Sequence, residues 1–238
     1  MELPILYEDT DIVAVAKPVG LITHTDGRTQ EETAEDWFDS RYPHERVVPA
    51  EIGYVHRLDR DTSGVLVFAK NPPAYAFLRS AFHDRAVKKT YLALVYGTLK
   101  EKKGVIDFDI GRSRKDFRLR SAQPKAKGRL RAALTRYEVV AETKEFSLLR
   151  VSPETGRTHQ IRVHLKAIHH PIVGDPLYAP NHPMALGINR LGLHAYQLDL
   201  PLPKGGSTLI TAPVPNDLAP ALTHFPSAHE TFALSPSA

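Results

Sequence analysis

The chain has 238 residues, of which 42% are hydrophobic and 24% charged. This composition excludes a chain that is disordered over its whole length, and it predicts a substantial hydrophobic core. It contains no cysteine, which excludes disulfide bonds, thiolate catalysis and cysteine-ligated zinc. The formal net charge of +4 is only mildly basic, but the positive charge is unevenly distributed along the sequence.

Neither a targeting segment nor a membrane-spanning segment is predicted. No apolar stretch reaches the roughly 20 residues that a helix needs to cross a bilayer. The N-terminus, MELPILYEDTDIV, lacks the basic region and cleavage site of a signal peptide. We therefore expect a soluble, cytoplasmic protein.

The first part of the chain combines short strands with two helices. Residues 5–7 and 12–16 have the apolar character of paired strands. A helix is predicted over 31–42, where apolar residues recur at helical spacing up to Pro43. A second helix begins at Pro73, a residue that favours the first turn of a helix. We expect the first of these helices to cover the sheet.

The rest of the chain is richer in strands. They are predicted at residues 89–97, 105–110, 133–141, 146–152, 191–200 and 208–211. Because strands and helices do not alternate regularly, an α+β fold on a mixed, mostly antiparallel sheet is favoured over a doubly wound parallel sheet. We expect one domain over 1–222, either as a single large domain or as one domain with lobes, with a basic insertion at about 112–131 and a flexible tail at 223–238.

Residues 56–70, HRLDRDTSGVLVFAK, place one carboxylate in a basic, polar turn before an apolar strand. An aspartate in a turn usually caps the backbone or pairs with a neighbouring arginine, here Arg57 or Arg60. In this chain the turn leads directly into the apolar run Val65 to Phe68, whose length is typical of a buried strand. Asp59 is therefore predicted to be fixed at the edge of a strand, at a place suited to chemistry.

A strongly basic segment lies between residues 112 and 136. It contains ten cations, namely Arg112, Arg114, Lys115, Arg118, Arg120, Lys125, Lys127, Arg129, Arg131 and Arg136. Its one acid is Asp116. A charge run on its own is usually a solvated loop. Here predicted strands flank the run, and no apolar face of the kind needed by a membrane-surface helix accompanies it. We therefore predict an arm that binds the phosphates of a nucleic acid.

Residues 154–178 combine a glycine turn with a further helix. Thr158 is the predicted N-cap, and one face of the helix is apolar, with Ile161, Leu165 and Ile168. Arg162 lies in the first turn, where the helix dipole favours an acid. It therefore needs an anionic partner, which could be any nearby carboxylate such as Glu154, or else Asp59 or a substrate phosphate.

Histidines at positions 159, 164, 169, 170, 182 and 194 raise the question of a metal site. None belongs to an HExxH-type signature, and His159 and His164 do not share a helical face. We therefore predict packing or hydrogen-bonding roles and no metal. The sequence also lacks GxGxxG, Walker-type and GxSxG motifs, which argues against nucleotide-driven and serine-hydrolase chemistry.

Several blocks of sequence occur in an order that is typical of one family. They are ILYEDTDIVAVAKPVGLITH (5–24), HRLDRDTSGVLVFAK (56–70), KKTYLALVYG (88–97), PETGRTHQIRVHLKAIHHPIVGDPLY (153–178) and the looser LGLHAYQLDLPLP (191–203). Together they span nearly the whole chain and resemble the RluA family of RNA pseudouridine synthases. The family's S4 RNA-binding module would precede the first block, so we expect the short form without it.

The resemblance implies a pseudouridine synthase fold and the isomerisation of a uridine in RNA, in which the base detaches from N1 and reattaches through C5. No cofactor is implied. The family's catalytic aspartate maps onto Asp59, which attacks C1′ or C6, or acts as a base that promotes glycal formation. The family's arginine maps onto Arg162, as the cation that keeps Asp59 charged. Its tyrosine maps onto Tyr91, whose ring can stack on the base, with an ordinary core tyrosine as the alternative.

The other candidates for RNA binding come from the same blocks and from the basic segment. They are His56, Arg57, Arg60, Thr62, Arg157, His159, Gln160, Arg118, Arg120, Lys125 and Lys127. Arg57 resembles the residue that fills the gap left by a flipped-out base, with a solvent-facing arginine as the alternative. His169 and Ala179 stand where the family usually has glycine, which affects loop geometry more than the reaction.

Two other classes of function stay open at this point. A noncatalytic RNA-binding or ribosome-associated protein would use the basic segment alone. A hydrolase that cleaves a glycosidic bond in a nucleic acid would need a second carboxylate, for which Glu154 and Asp175 are candidates. We favour a monomeric synthase that acts on ribosomal or transfer RNA, without a metal and without a membrane partner.

Overall fold

The computed structural model describes most of the chain. The described residues are 1–25, 30–42, 53–114, 116, 119–122, 124, 126–226, 228 and 231–233. They belong to two compact units, one formed by Met1–Lys89 with Ala195–Ala212 and the other by Thr90–His194 with Pro213–Ala238. Each unit has its own core.

The elements are named here in chain order. The strands are β1 (Ile5–Glu8), β2 (Ile12–Lys17), β3 (Gly53–Tyr54), β4 (Ser63–Ala69), β5 (Lys88–Tyr96), β6 (Lys103–Asp107), β7 (Ile110–Arg112), β8 (Arg120–Ala122), β9 (Lys127–Arg131), β10 (Leu134–Glu142), β11 (Phe146–Pro153), β12 (Leu193–Pro201) and β13 (Ser207–Thr211). The helices are α1 (Ala34–Arg41), α2 (Pro72–His83), α3 (Gln160–Ala167) and α4 (Ala219–Leu222). The α+β class is confirmed. Within the described residues, no helix is long and apolar enough to cross a membrane.

The first unit is built around β4, whose seven residues are all buried. Strands β2 and β12 lie on either side of it, with β1 beyond β2 and β13 beyond β12. The pairs β1/β2, β2/β4 and β12/β13 are antiparallel. Ala74 and Leu78 of α2 pack into the core of this unit with Val65 and Val67 of β4. This packing fixes the strand that directly follows the Asp59 turn.

Both long helices of the first unit begin at side-chain caps. Thr33 and Asp36 form a capping box at the start of α1, so the helix predicted over 31–42 is shorter than expected. Asn71 caps α2, where its side-chain oxygen accepts the Ala74 N–H at 2.9 Å. The two helix starts are therefore determined by local polar residues.

The second unit contains strands in the order β5-β11-β10-β6. Their pairs are antiparallel, and Tyr91 of β5 lies opposite Val151 of β11. Helix α3 contributes Ile161 and Leu165 to the core of this unit. The apolar face predicted for this helix is therefore the face that packs.

A separate antiparallel sheet, β8-β7-β9, contains much of the basic segment and is called the basic sheet below. The sequence predicts a basic arm here without strands of its own, and one strand over 105–110 that the structure divides into β6 and β7. Ile110 and Ala122 are buried together with Val163 and Tyr178. These apolar residues explain why such a charged segment folds as a sheet.

Helix α3 begins one residue later than predicted. His159 is the N-cap in place of Thr158, and its backbone is left-handed, with φ of 56°. It makes no side-chain capping hydrogen bond, and its Nδ1 atom instead lies 2.8 Å from the Tyr178 hydroxyl. A tertiary contact therefore fixes this helix start, which local sequence could not indicate.

The predicted flexible tail is packed where the structure describes it. Phe225 and Phe232 are each 1% exposed. The Val214 N–H donates to the Ala233 carbonyl at 2.8 Å. The burial of these two aromatic side chains holds this part of the tail against the second unit, despite its content of Ser, Pro and Ala. Residues 227, 229, 230 and 234–238 lie outside the described part.

Candidate active site

Asp59 lies in the turn that leads into β4. The Thr62 N–H donates to the Asp59 carbonyl oxygen at 3.1 Å and closes the turn. Asp59 itself is half-buried. Thr62 is 2% exposed, and its buried hydroxyl has no hydrogen-bond partner among the residues that the structure describes. The turn therefore holds a carboxylate and a buried hydroxyl at the start of a rigid strand.

A buried lysine from the KPVG sequence holds this turn. Lys17 is 1% exposed. Its ammonium group donates to the carbonyl oxygens of Pro18 at 2.9 Å, Leu21 at 2.7 Å and Arg60 at 3.1 Å. A buried ammonium requires such partners. The cation therefore fixes the residue next to Asp59 relative to the end of β2.

Two further contacts tie the same loop to the turn. The Thr23 hydroxyl donates to the Leu58 carbonyl at 2.9 Å, and its oxygen is 3.2 Å from the Leu58 N–H. The Gly20 N–H donates to the Arg60 carbonyl at 2.9 Å. Lys17 and Thr23 are not among the site residues predicted from the sequence, although both lie in the block 5–24, which resembles the family.

Gly64 allows the backbones of β4 and β12 to approach closely. Its φ is +123°, and a Cβ atom built on it would lie 2.1 Å from the carbonyl oxygen of Ala195. A side chain is excluded both by this contact and by the backbone conformation. The glycine after Asp-Thr-Ser is therefore required where the Asp59 turn joins its strand.

His56 packs within the first unit, and its predicted role in RNA binding stays a prediction. Its Nε2 atom accepts the Val67 N–H at 3.1 Å, and its ring stacks on Phe82 with centroids 4.6 Å apart. Burial, with a smaller effect of the Lys89 ammonium, lowers the pKa of His56 to about 3. The imidazole is therefore neutral and supports β4.

The two arginines that flank Asp59 are exposed. Arg60 forms an ion pair with Glu31, in which Nη1 and Oε1 are 3.2 Å apart. An exposed pair of this kind contributes little to stability, so the Arg60 guanidinium can exchange Glu31 for a phosphate. Arg57 and Arg60 both remain candidates for contact with RNA.

In the second unit, Arg162 forms a buried ion pair with Asp175. Its Nε donates to Oδ2 at 2.8 Å and its Nη2 to Oδ1 at 2.7 Å, with side chains 2% and 0% exposed. The partner is thus a nearby carboxylate, one of the predicted alternatives, although it is not Glu154, which pairs with Arg136 at 2.6 Å. Asp175 lies in the loop after α3, which folds back beside the first turn of this helix. Helical spacing does not predict this contact.

Gln160 lies in a buried hydrogen-bond network. It is 4% exposed. Its Oε1 accepts from the Thr155 hydroxyl at 2.7 Å and the Arg157 N–H at 3.0 Å. Its Nε2 donates to the Leu134 carbonyl and the Thr135 hydroxyl, both at 3.0 Å. A glutamine amide has two donors and two acceptor sites, and all of them are used within the protein here. The predicted role of Gln160 in RNA binding stays a prediction.

His164 extends this buried network. Its Nε2 lies 2.9 Å from the Phe108 carbonyl oxygen and its Nδ1 lies 2.9 Å from the Thr135 hydroxyl. Because a carbonyl only accepts, Nε2 carries the proton and Nδ1 accepts from Thr135. Burial lowers the pKa of His164. The histidine is therefore neutral, and its two hydrogen bonds connect α3 to Thr135 and Phe108.

The remaining predicted residues of the second unit each have a structural contact. Arg157 Nε donates to the Ala132 carbonyl at 3.1 Å. Tyr91 is half-buried in β5 and packs against the core of the unit. His159 contacts the hydroxyl of Tyr178. The roles of Tyr91, Arg157 and His159 in the reaction or in RNA binding stay predictions.

The basic sheet and its connections carry exposed cations. Among the described residues, no ion pair involves Arg112, Arg114, Lys127, Arg129 or Arg131, and all of them are exposed. In contrast, Lys103 of β6 pairs with Glu138 at 2.8 Å. Arg120 is half-buried in β8. Arg118 and Lys125 lie outside the described residues.

These features agree with the comparison with known families. Residues 11–167 match the family model described as RNA pseudouridylate synthase, a range that contains the Asp59 turn, β5 and helix α3. The chain belongs to this family.

Individual relatives support the same assignment. Ribosomal large subunit pseudouridine synthase D of Nitrosomonas europaea is 40% identical, with 92% of this chain and 64% of that protein covered. The uncharacterized RNA pseudouridine synthase YhcT of Bacillus subtilis is 36% identical, with coverage of 91% and 70%. The structure of human RNA pseudouridylate synthase domain containing 1 has a TM-score of 0.73 and 27% identity, with coverage of 99% and 91%. The chain thus spans less than two thirds of the length of the Nitrosomonas protein, and the predicted pseudouridine synthase fold is confirmed.

Proposed function

We propose that this chain isomerises uridine to pseudouridine in RNA and that large-subunit ribosomal RNA is its substrate. The observation that carries the proposal is the Asp59 turn, in which the backbone around a half-buried carboxylate is fixed by Lys17 and Gly64. Membership of the family supports the reaction, and the name of the Nitrosomonas relative supports ribosomal RNA.

The chemistry balances without an oxidant, a reductant or a cofactor. The bond between N1 and C1′ breaks, a bond between C5 and C1′ forms, C5 loses a proton and N1 gains one. Asp59 adds to C1′ or to C6, or acts as the base that promotes glycal formation. Each of these routes uses one ionised carboxylate, and general base or nucleophilic catalysis by a carboxylate is well precedented.

Arg162 and Tyr91 complete the proposed catalytic set. A fixed cation favours the charged form of a reacting carboxylate, and we assign this role to Arg162 toward Asp59. The Arg162 guanidinium is already held in one orientation by its ion pair. Tyr91 supplies an aromatic ring for stacking on the uracil. Tyr91→Ala should then reduce turnover more than Tyr91→Phe.

We assign RNA binding to the basic sheet. Its exposed cations lack acidic partners within the described residues, so phosphates can approach them without displacing a carboxylate. Phosphate contacts of this type supply much of the affinity of a protein for nucleic acid. The basic sheet therefore binds RNA, and Asp59 performs the bond rearrangement.

The glycosidic hydrolase has less support than the synthase. It needs a second carboxylate as acid or base. Asp175 accepts two hydrogen bonds from Arg162 and one each from the N–H groups of Leu177 and Tyr178. Glu154 forms its own pair with Arg136. Both candidate carboxylates are thus occupied by structural partners.

The test uses transcribed large-subunit ribosomal RNA that carries tritium at C5 of uridine. A synthase releases tritium to water and leaves the modified base attached to the RNA, where chemical mapping locates it. Release of free uracil would indicate the hydrolase. RNA binding without tritium release would indicate the noncatalytic alternative. Transfer RNA transcripts serve as the second substrate.

We also propose that the enzyme acts as a monomer, in the cytoplasm and without a metal ion. The isomerisation transfers protons and no electrons, so it needs no redox-active metal. Sedimentation at the mass of one chain and full activity in EDTA are the expected results. A dimer at working concentration, or loss of activity in EDTA that a divalent metal restores, would contradict these assignments.

A further inference from the structure

Asp175 and Tyr178 hold Arg162 from two directions within the second unit. The Asp175 carboxylate receives the Nε and Nη2 donors of the guanidinium at 2.8 and 2.7 Å. The Tyr178 ring centroid lies 5.2 Å from the guanidinium carbon. Asp175 Oδ1 also accepts the N–H groups of Leu177 and Tyr178, at 2.9 and 3.0 Å. The loop therefore fixes the carboxylate, and the carboxylate fixes the plane of the guanidinium.

The hydroxyl of Tyr178 connects this loop to the basic sheet. It accepts the backbone N–H of Arg120 in β8 at 3.0 Å and lies 2.8 Å from Nδ1 of His159. Tyr178 is 4% exposed and belongs to the same apolar cluster as Ile110 of β7. One side chain thus contacts the basic sheet, the first turn of α3 and the guanidinium of Arg162.

Stability alone does not explain this buried ion pair. Burial removes both charges from water, and apolar side chains of similar volume commonly stabilise a protein at least as well. A bidentate pair gives a planar cation a single orientation, which an apolar contact cannot. Displacement of a reacting group by about 1 Å can reduce turnover about 10²-fold, so a fixed orientation affects the rate directly.

We propose that Asp175 and Tyr178 are positioning residues of the isomerisation: Asp175 orients the Arg162 guanidinium, and the Tyr178 hydroxyl links RNA bound on the basic sheet to it. The inference rests on the role in the reaction proposed above for Arg162. The two residues are expected to affect different kinetic constants. Loss of the Asp175 carboxylate lowers kcat, whereas loss of the Tyr178 hydroxyl raises KM.

The first test measures tritium release from C5-tritiated ribosomal RNA by Asp175→Asn. This change keeps the side-chain volume and removes the charge. We expect kcat to fall at least about tenfold while the Kd for RNA stays within about twofold of wild type. A wild-type kcat in the folded variant would overturn the inference. Asp217→Asn is the matched control, because Asp217 pairs with Arg190 at 2.8 Å in the same unit, and it should keep the wild-type kcat.

A double-mutant cycle separates positioning through Arg162 from a general loss of structure. The lysine ammonium is a point charge without a plane that a carboxylate could orient. Arg162→Lys therefore removes the planar guanidinium that Asp175 orients. In that background, Asp175→Asn should lower kcat by less than about threefold. An equal reduction of kcat in both backgrounds would contradict positioning through Arg162. Asp175→Glu, which keeps the charge but shifts it by one methylene, should fold and also lower kcat.

Tyr178→Phe tests the link to the basic sheet. It keeps the ring beside Arg162 and removes the hydroxyl, so we expect KM to rise about three- to tenfold with kcat within about threefold of wild type. An unchanged KM would overturn the link. Wild type and Asp59→Asn are measured in the same assay. No release by wild type, or full release by Asp59→Asn, refutes the proposed function. Normal values for both, with an unaffected Asp175→Asn, refute only this inference.

Discussion

The ammonium nitrogen of Lys17 lies 3.1 Å from the carbonyl oxygen of Arg60, so a buried cation at the end of β2 directly supports the residue after Asp59. The contact joins two segments that are 43 residues apart in the sequence. It makes the geometry of the Asp59 turn dependent on the KPVG loop.

Lys17→Met should destabilise the protein and lower its activity. The substitution leaves three buried or partly buried carbonyl groups without their donor, although it also removes the cost of burying a charge. We expect the free energy of unfolding to fall by about 2 to 4 kcal/mol in urea titrations. Lys204→Met is the control, because Lys204 is 70% exposed and should change this value by less than about 1 kcal/mol. Similar values for the two variants would contradict the role of Lys17.

Gly64→Ala should be strongly destabilising. Its methyl group would lie 2.1 Å from the Ala195 carbonyl oxygen, at a backbone φ of +123°. Overlap and backbone strain together should lower the free energy of unfolding by at least about 3 kcal/mol. Gly156→Ala, where no heavy atom lies within 4 Å of the added Cβ, should change it by about 0.5 kcal/mol or less. A soluble Gly64→Ala protein of wild-type stability would show that β4 and β12 do not approach as described.

His56 should make stability depend on pH below about 6.5. Its pKa is about 3 in the folded protein, compared with about 6.5 in the unfolded chain, so the unfolded state binds the proton first. The stability present above pH 6.5 is therefore lost as the pH falls toward 3. At pH 5 the loss from this group is on the order of 2 kcal/mol relative to pH 7.5. Urea titrations of His56→Gln should show a correspondingly smaller loss, and an identical pH dependence in both proteins would exclude His56 as its source.

Neutralising the basic sheet should weaken RNA binding and reduce its salt dependence. In the triple variant Lys127→Gln, Arg129→Gln, Arg131→Gln, the slope of log K against log salt should decrease by about 2.1 to 2.7 if each cation contacts a phosphate. Turnover at saturating RNA should change little, because Asp59 and Arg162 are intact.

The matched control neutralises three exposed lysines that already have acidic partners. They are Lys88, Lys102 and Lys103, which pair with Asp199, Glu142 and Glu138. This variant should keep the wild-type salt slope. If both triple variants had the same slope, the RNA path would lie elsewhere on the protein.

Locally determined features could be predicted from the sequence. The apolar run of Val65 to Phe68 correctly indicated β4, because hydrophobicity and length suffice to identify a buried strand. The position of Asp59 in a turn before that strand followed from the same pattern. The basic segment was harder to interpret, since its many charges concealed Ile110 and Ala122, the residues that give its sheet a buried face.

Features that depend on distant contacts could not be predicted. Arg162 and Asp175 meet because the loop after α3 turns back, and residue spacing along a helix contains no information on that turn. Gln160 is polar and lies in a family motif, two features that predict contact with RNA. Its burial depends on Leu134 and Thr135 of β10, which are 26 and 25 residues away.

Tritium release from C5-tritiated ribosomal RNA by Asp59→Asn tests most directly whether the Asp59 carboxylate performs the isomerisation. The amide keeps the volume of the side chain and removes its charge. We predict a rate below about one-thousandth of wild type, with RNA affinity within about twofold and an unchanged urea midpoint. Tritium release at the wild-type rate by the folded variant would show that a group other than the Asp59 carboxylate performs the isomerisation.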